Sequence, residues 1–157
     1  MQELSNDVIE PTDLPALIAE VVDPYRAGLA SRIAIEVDAD SDVPRVSIDR
    51  TLFARALTNV IENALHAMPG GGTLRVRAGR ASSGDRPAVI VSVADTGAGM
   101  DPEALARIFE PYFSTKASGT GLGLTIAKRN VELNGGTIRV ESERGLGTTV
   151  TITLPID

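Results

Sequence analysis

Apolar residues repeat at three- and four-residue spacing in some stretches of the chain and at two-residue spacing in others, and the change of period outlines the fold. Leu14, Leu17, Ile18, Val21, Val22 and Tyr25 make one helical stripe, with Thr12 or Asp13 placed to cap it. Ile33, Ile35 and Val37 alternate with polar neighbours, which predicts a half-buried strand, and residues 46–48 read as a short second one. Asp49 can cap a helix whose face runs Leu52, Phe53, Ala56, Leu57, Val60, Ile61, Ala64, Leu65 and Met68, until Pro69 and Gly70-Gly71-Gly72 stop it. Strands follow over 73–78 and 88–94, joined by a polar loop at 80–87 whose Ser, Gly and Asp content suggests a mobile, hairpin-type link, and the run AVIVSVAD is apolar enough for the middle of a sheet. After a stretch of glycine loops and short helices, a helix over 122–134 ends at Gly135-Gly136. Strands over 137–143 and 148–154 close the chain around Gly145-Leu146-Gly147. The elements predict an α+β fold, a two-layer α/β sandwich of about three helices on a mixed, mostly antiparallel sheet of about five strands. Residues 1–11 lack readable periodicity and are expected to be a leader or the tail of a helix, with one domain over 12–157.

Composition narrows the chemistry. Of 157 residues 43% are hydrophobic, enough for one core, while two Tyr, three Phe, no Trp and a net charge of -6 argue against a nucleic-acid binder. The absence of cysteine removes disulfides, zinc-thiolate sites and thiol nucleophiles together, and a single histidine, His66, leaves little for a histidine-rich metal site. No long apolar span or basic-then-apolar leader is visible. Residues 1–44 hold ten acids against two bases, and the rest eleven against thirteen. That acidic quarter is either a solvated face or a surface for a basic partner.

Four segments carry more than folding requires. In NVIENALHAM, residues 59–68, Asn59, Asn63 and His66 lie at spacings of four and three on one helical face. Asn is a poor helix-interior residue, and an amide oxygen is a hard neutral donor suited to Mg²⁺; the alternative is two solvated amides. In DTGAGM, residues 95–100, Asp95 ends the presumed central strand, where a buried carboxylate needs a donor such as the amine of adenine. Gly97 and Gly99 would let backbone approach a base, although such a segment is also an ordinary turn. GTGLGL, residues 119–124, precedes a helix and can present N–H groups to phosphate, but it has neither Walker A nor Rossmann spacing. IFEPYFSTK, residues 108–116, gathers three of the aromatics, Phe109 as core and Tyr112 and Phe113 as core or as a lid surface.

Together and in this order the four segments resemble the asparagine, first glycine, phenylalanine and second glycine boxes of the catalytic, ATP-binding domain of sensor histidine kinases. That domain belongs to the superfamily of gyrase, heat-shock chaperone, histidine kinase and MutL ATPases. The resemblance spans about residues 12–155 and includes the closing GTTVTITLP; EPYFSTK followed by GTGLGL is similar to the nitrogen-regulation subgroup, with its short lid. It implies that Asn63 is the Mg²⁺ ligand, that Asn59 lines the same phosphate site, and that Asp95 binds the adenine amine. Gly97, Gly99 and Met100 would shape the base pocket, with Thr148 holding adenine through water. Lys116, Gly119, Thr120, Gly121, Leu122, Gly123 and Leu124 would form the lid side of the phosphate site. His66 falls where many relatives carry a Lys or Arg toward the phosphates, and a partly exposed helix histidine is the other reading. The segment 114–118 is expected to be a mobile lid without nucleotide.

Relatives that hydrolyse ATP differ at the first box position, where a Glu activates water. Here that position is Asn59, which cannot be a general base, so the pattern favours transfer to a protein nucleophile. Glu62 joins Asn59 and Asn63 as a catalytic candidate, with its direction, about 100° around the helix from Asn63, left open. The resemblance implies Mg²⁺ and ATP or ADP as ligands and an acceptor histidine on a dimerisation and phosphotransfer domain, of which residues 1–11 could be the end. A response regulator would be served indirectly, with no nucleic acid and a monomeric isolated domain inactive in autophosphorylation. The location implied is cytoplasmic, whether or not the parent protein is membrane-anchored. Two alternatives stay open: a serine kinase of anti-sigma type, and a degenerate nucleotide-binding module that regulates by docking.

Overall fold

The structure is a computed structural model and describes residues 9–29, 32–111 and 123–156. Its strands are β1 (Ile9–Thr12), β2 (Ile33–Ala39), β3 (Val46–Asp49), β4 (Gly72–Ser83), β5 (Arg86–Asp95), β6 (Thr137–Glu143) and β7 (Gly147–Pro155). Its helices are α1 (Leu14–Leu29), α2 (Arg50–His66), α3 (Pro102–Ala106) and α4 (Gly123–Leu133). Five strands form one sheet in the order β2-β4-β5-β7-β6, with β5 in the middle, as its continuous apolar run requires. The β2–β4 pair is parallel and the other three are antiparallel. Parallel neighbours need a crossover, and here β3 and α2 supply it.

The helices lie on one face of this sheet, and the core fills the space between the layers. Phe53, Leu57, Val60 and Ile61 of α2 are fully buried against Leu74, Val76, Val89 and Val91 of the sheet and Ala127 and Val131 of α4. Asp49 caps α2 by accepting the Leu52 N–H, and Asp13 rather than Thr12 caps α1 through the Ala16 N–H. A polar link joins α4 to the start of α2. Asn130, 5% exposed, donates Nδ2 to the Leu52 carbonyl at 3.2 Å, and Asn134 Oδ1 accepts the Asp49 N–H at 2.7 Å. With N- and C-terminal ends joined in this way, α2 and α4 run against each other in opposite senses.

Two elements depart from the pattern expected of the sequence. Residues 9–12, expected as leader, helix tail or helix cap, form β1, which pairs antiparallel with β3 from Ile9↔Asp49 to Thr12↔Val46. The hairpin-type link expected at 80–87 is a hairpin, but a tighter one than a loop of that length: strand pairing continues to Ser83↔Arg86, with Gly84 at a φ of +64° in the turn. In the stretch read as glycine loops and short helices, α3 is a single short turn capped by Asp101 with Pro102 in its first turn, as expected there. Four acids of the acidic quarter find basic partners within the chain. Glu36, Asp38, Asp40 and Asp42 form ion pairs with Arg75, Arg77 and Arg80 across the β2–β4 edge. No helix among the described residues is long and apolar enough to cross a membrane.

Candidate functional site

The central strand delivers Asp95 to the end of the sheet at 6% exposure, where an ionised carboxylate is costly without donors. Register supplies one of them. Asp95 lies opposite Thr148 of β7, and Asp95 Oδ1 accepts the Thr148 N–H at 3.3 Å and the Gly97 N–H at 2.8 Å. The donor that the sequence reading sought in a ligand is therefore provided in part by backbone amides. They also hold the carboxylate in one orientation.

The loop after Asp95 is threaded between two elements. Ala98 N–H donates to the Ala67 carbonyl just past α2, and Gly145 N–H donates to the Ala98 carbonyl from the β6–β7 turn, at 3.3 Å and 2.7 Å. A methyl on Gly97 would run into the Ala67 carbonyl, and one on Gly99, whose φ is +71°, into that of Glu143. Both glycines are thus required by the protein's own packing before any ligand is considered. Met100 N–H then donates to Ser142 Oγ at 2.8 Å.

The contact at Ala67 brings the first two chemical segments together, since Ala67 lies one turn after Asn63. Asn59 and Asn63 are half-buried on α2, and His66 is exposed at the helix's last position. Glu62 is exposed and turned toward α1, where its Oε2 accepts the Tyr25 hydroxyl at 2.8 Å. Burial, then the hydrogen bond and negative charge of Glu62, push the Tyr25 phenol up to about 12. That contact gives Glu62 an interhelical partner.

From the second glycine segment, Gly123 opens α4 and Leu124 is buried in the core, which makes Leu124 a packing residue. Among the described residues, a methyl on Gly123 would meet nothing within 4 Å. Lys116, Gly119, Thr120, Gly121 and Leu122 lie outside the described residues, as do Tyr112, Phe113 and the expected lid over 114–118. Phe109 is half-buried against the core, with Lys128 Nζ 5.5 Å from its ring centre, in keeping with its reading as a packing residue.

Two residues of this site were not read from the sequence. Gly147, at a φ of +112°, leaves room where a methyl would strike the Asp95 carbonyl oxygen. Ser142 shares the inward phase of β6 with Ile138 and Val140, and its Oγ meets the Gly147 carbonyl at 3.0 Å and Thr148 Oγ1 at 2.8 Å. A serine on an otherwise apolar phase was the available signal. Among the described residues no group of three or more His, Asp or Glu could hold a metal ion. A cation here would rest on amide oxygens and on what a ligand brings.

The chain matches a family model, "Histidine kinase-, DNA gyrase B-, and HSP90-like ATPase", over residues 48–157. It is 35% identical over 149 residues to the signal transduction histidine-protein kinase AtoS of Escherichia coli K12, covering 94% of this chain and 24% of AtoS. It is 41% identical over 124 residues to the sensor histidine kinase ZraS of Salmonella typhimurium, covering 79% of this chain and 26% of ZraS. The chain thus spans about a quarter of the length of these curated relatives. The catalytic domain of histidine kinase ThkA superposes with a TM-score of 0.82 at 29% identity, covering 94% of this chain and 95% of that one. Full-length ShkA superposes at 0.82 and 32%, covering 98% of this chain and 32% of that one. With half its length and more inside the family model, and with the carboxylate, glycine loop and paired amides assembled at one end of the sheet, the chain belongs to the histidine kinase-, DNA gyrase B- and HSP90-like ATPase family, in the form found in sensor histidine kinases.

Proposed function

We propose that this chain is the ATP-binding catalytic domain of a two-component sensor histidine kinase. It would present the γ-phosphoryl group of Mg²⁺-bound ATP to a histidine on a dimerisation domain of the same parent protein, which then serves a response regulator. The observation that carries the reading is the junction of α2 with the loop after Asp95. The Ala98–Ala67 hydrogen bond sets the Asn59–Asn63 face beside a buried, amide-oriented carboxylate. The relatives agree with it: ShkA was determined in complex with AMPPNP, and ThkA with the response regulator protein TrrA.

The roles follow from the chemistry of each group. Asp95 accepts from the exocyclic amine of adenine, and Thr148 contributes beside it. Asn63 and Asn59 offer neutral oxygen donors, which suit Mg²⁺ because that ion keeps several waters and shares the triphosphate oxygens. Mg²⁺ would neutralise charge on the transferring phosphoryl group. His66, at the end of the same face, would add a proton-dependent positive charge near the phosphates. Glu62 would act on α1 through Tyr25 rather than on water, and Asn59 cannot be a general base. Transfer forms the N–P bond on the acceptor imidazole as the bond between the γ-phosphorus and the bridging oxygen breaks, releasing ADP and the ring proton.

Calorimetric titration with Mg²⁺ and ATP tests the reading. Wild-type chain should bind ATP in a Mg²⁺-dependent manner, and Asn63→Ala should lose that dependence. An Asn63→Ala chain that binds as well as wild type would remove the metal assignment and with it the catalytic reading.

A further inference from the structure

The hydroxyl of Ser142 sits at the meeting point of three polar groups: Met100 N–H at 2.8 Å, the Gly147 carbonyl at 3.0 Å and Thr148 Oγ1 at 2.8 Å. A serine hydroxyl has one proton and two lone pairs. The Met100 amide can only donate and the Gly147 carbonyl can only accept, so one proton arrangement satisfies all three contacts. Ser142 gives its proton to Gly147, and its lone pairs receive the Met100 N–H and the Thr148 O–H. Were Ser142 to donate to Thr148 instead, two oxygen lone pairs would face each other across the 3.0 Å to Gly147.

This arrangement fixes the Thr148 side chain as well. Thr148 is 7% exposed, and its N–H is already committed to Asp95 Oδ1. With its hydroxyl proton committed to Ser142, Thr148 Oγ1 keeps only acceptor character toward its other neighbours. The carboxylate and the hydroxyl then offer acceptors from adjacent positions on β5 and β7, where Asp95 and Thr148 are register partners.

We infer that Ser142 is a positioning residue for nucleobase selection: by taking the Thr148 proton it keeps that hydroxyl an acceptor, which favours the amine of adenine over the carbonyl of guanine. The inference rests on the nucleotide-site reading above and deepens it. Without the Ser142 oxygen, Thr148 is at liberty to turn its proton toward a guanine carbonyl, and the Met100 N–H loses its partner.

The test compares ATP and GTP affinities of the purified 157-residue chain and its Ser142→Ala, Thr148→Val and doubly substituted forms, alongside amide exchange at Met100. Ser142→Ala should lower the ATP over GTP preference about five- to tenfold, the worth of roughly one hydrogen bond, and speed Met100 exchange. Because Ser142 acts through the Thr148 hydroxyl, adding Ser142→Ala to Thr148→Val should leave the preference where Thr148→Val alone puts it. A Ser142→Ala chain with the wild-type preference, or a double variant in which the two changes add, overturns the inference while leaving the nucleotide site standing. A wild-type chain that binds neither nucleotide removes the nucleotide site itself, and base selection by Ser142 with it. If Ser142→Ala fails to fold, the Thr148→Val chain decides, since an unchanged preference there leaves Ser142 nothing to act through.

Discussion

Replacing Asp95 by Asn swaps one atom in the most constrained group of the site. In the native chain Oδ1 accepts two backbone amides, from Gly97 at 2.8 Å and Thr148 at 3.3 Å. An Asn amide keeps those two bonds only by placing its oxygen in the Oδ1 position, which puts its NH₂ where the second carboxylate oxygen was. The two backbone bonds are therefore retained, and the donor–acceptor sense of the second atom is inverted. Adenine then loses a hydrogen bond to a charged acceptor, worth about 1.5–3 kcal/mol. That corresponds to roughly 10- to 150-fold weaker ATP binding. Guanine, which presents a carbonyl at that edge, gains a donor, so GTP binding should hold or improve. Calorimetric titration of both nucleotides, with urea unfolding as the control for stability, measures the effect. An ATP to GTP ratio equal to wild type in a stably folded Asp95→Asn chain would refute the assignment of Asp95 to the base. Equal loss for both nucleotides, together with a fall in stability, would instead make Asp95 purely a fastener between β5 and β7.

Three further outcomes are expected. Tyr25, with its phenol raised from 10.0 to about 12, favours the folded state below pH 10, and that contribution is lost as pH rises through 12. A Tyr25→Phe chain should accordingly show a shallower loss of urea stability between pH 10 and 12 than wild type; identical slopes would discard the Glu62 contact. Gly99→Ala places a side chain at a φ of +71° and drives a methyl into the Glu143 carbonyl, so it should cost about 2 kcal/mol or more of unfolding free energy; a neutral result would show that the loop is not held by β6. Asn130→Ala removes the donor to the Leu52 carbonyl and opens a void between α2 and α4, at an expected cost of about 1–3 kcal/mol. Denaturation at wild-type urea concentrations would contradict it.

The parts of the fold legible in the sequence are those where burial imposes a period. The α2 stripe and the unbroken apolar run of β5 put a helix over a central strand without further information. Strand β1 was illegible because only Thr12 of its four residues is buried, so pairing with β3 leaves no alternation to read. The outer parts of β4 and β5 escaped for a related reason. Around their hairpin the side chains are largely exposed, and polar composition there looks like a loop while the backbone ladder continues. The acids of residues 36–42 posed the same problem for charge. Their basic partners are Arg75, Arg77 and Arg80, which the parallel β2–β4 register brings alongside, and such exposed pairs add little stability.

The site separates along the same line. Residues whose type conflicts with their local element stood out: two Asn within one helix, and a carboxylate closing an apolar strand. Residues that serve by holding others are fainter, because Gly147 and Tyr25 suit a turn and a helix face equally well without any ligand, and Ser142 shows only as one polar side chain on the apolar phase of β6. The glycines of DTGAGM fall between the two groups. Their presence was readable, but the contacts that require them are to Ala67 and Glu143, residues about 30 and 44 positions away along the chain. That shifts the weight of the argument for a base pocket. Burial of Asp95 alone no longer demands a ligand, since Gly97 and Thr148 already serve one of its oxygens. What favours a base is that Gly97, Thr148 and Ser142 hold one carboxylate and one hydroxyl side by side, while the loop between them is fastened to Ala67 and to the β6–β7 turn. A mere turn at the end of a strand would need none of these contacts.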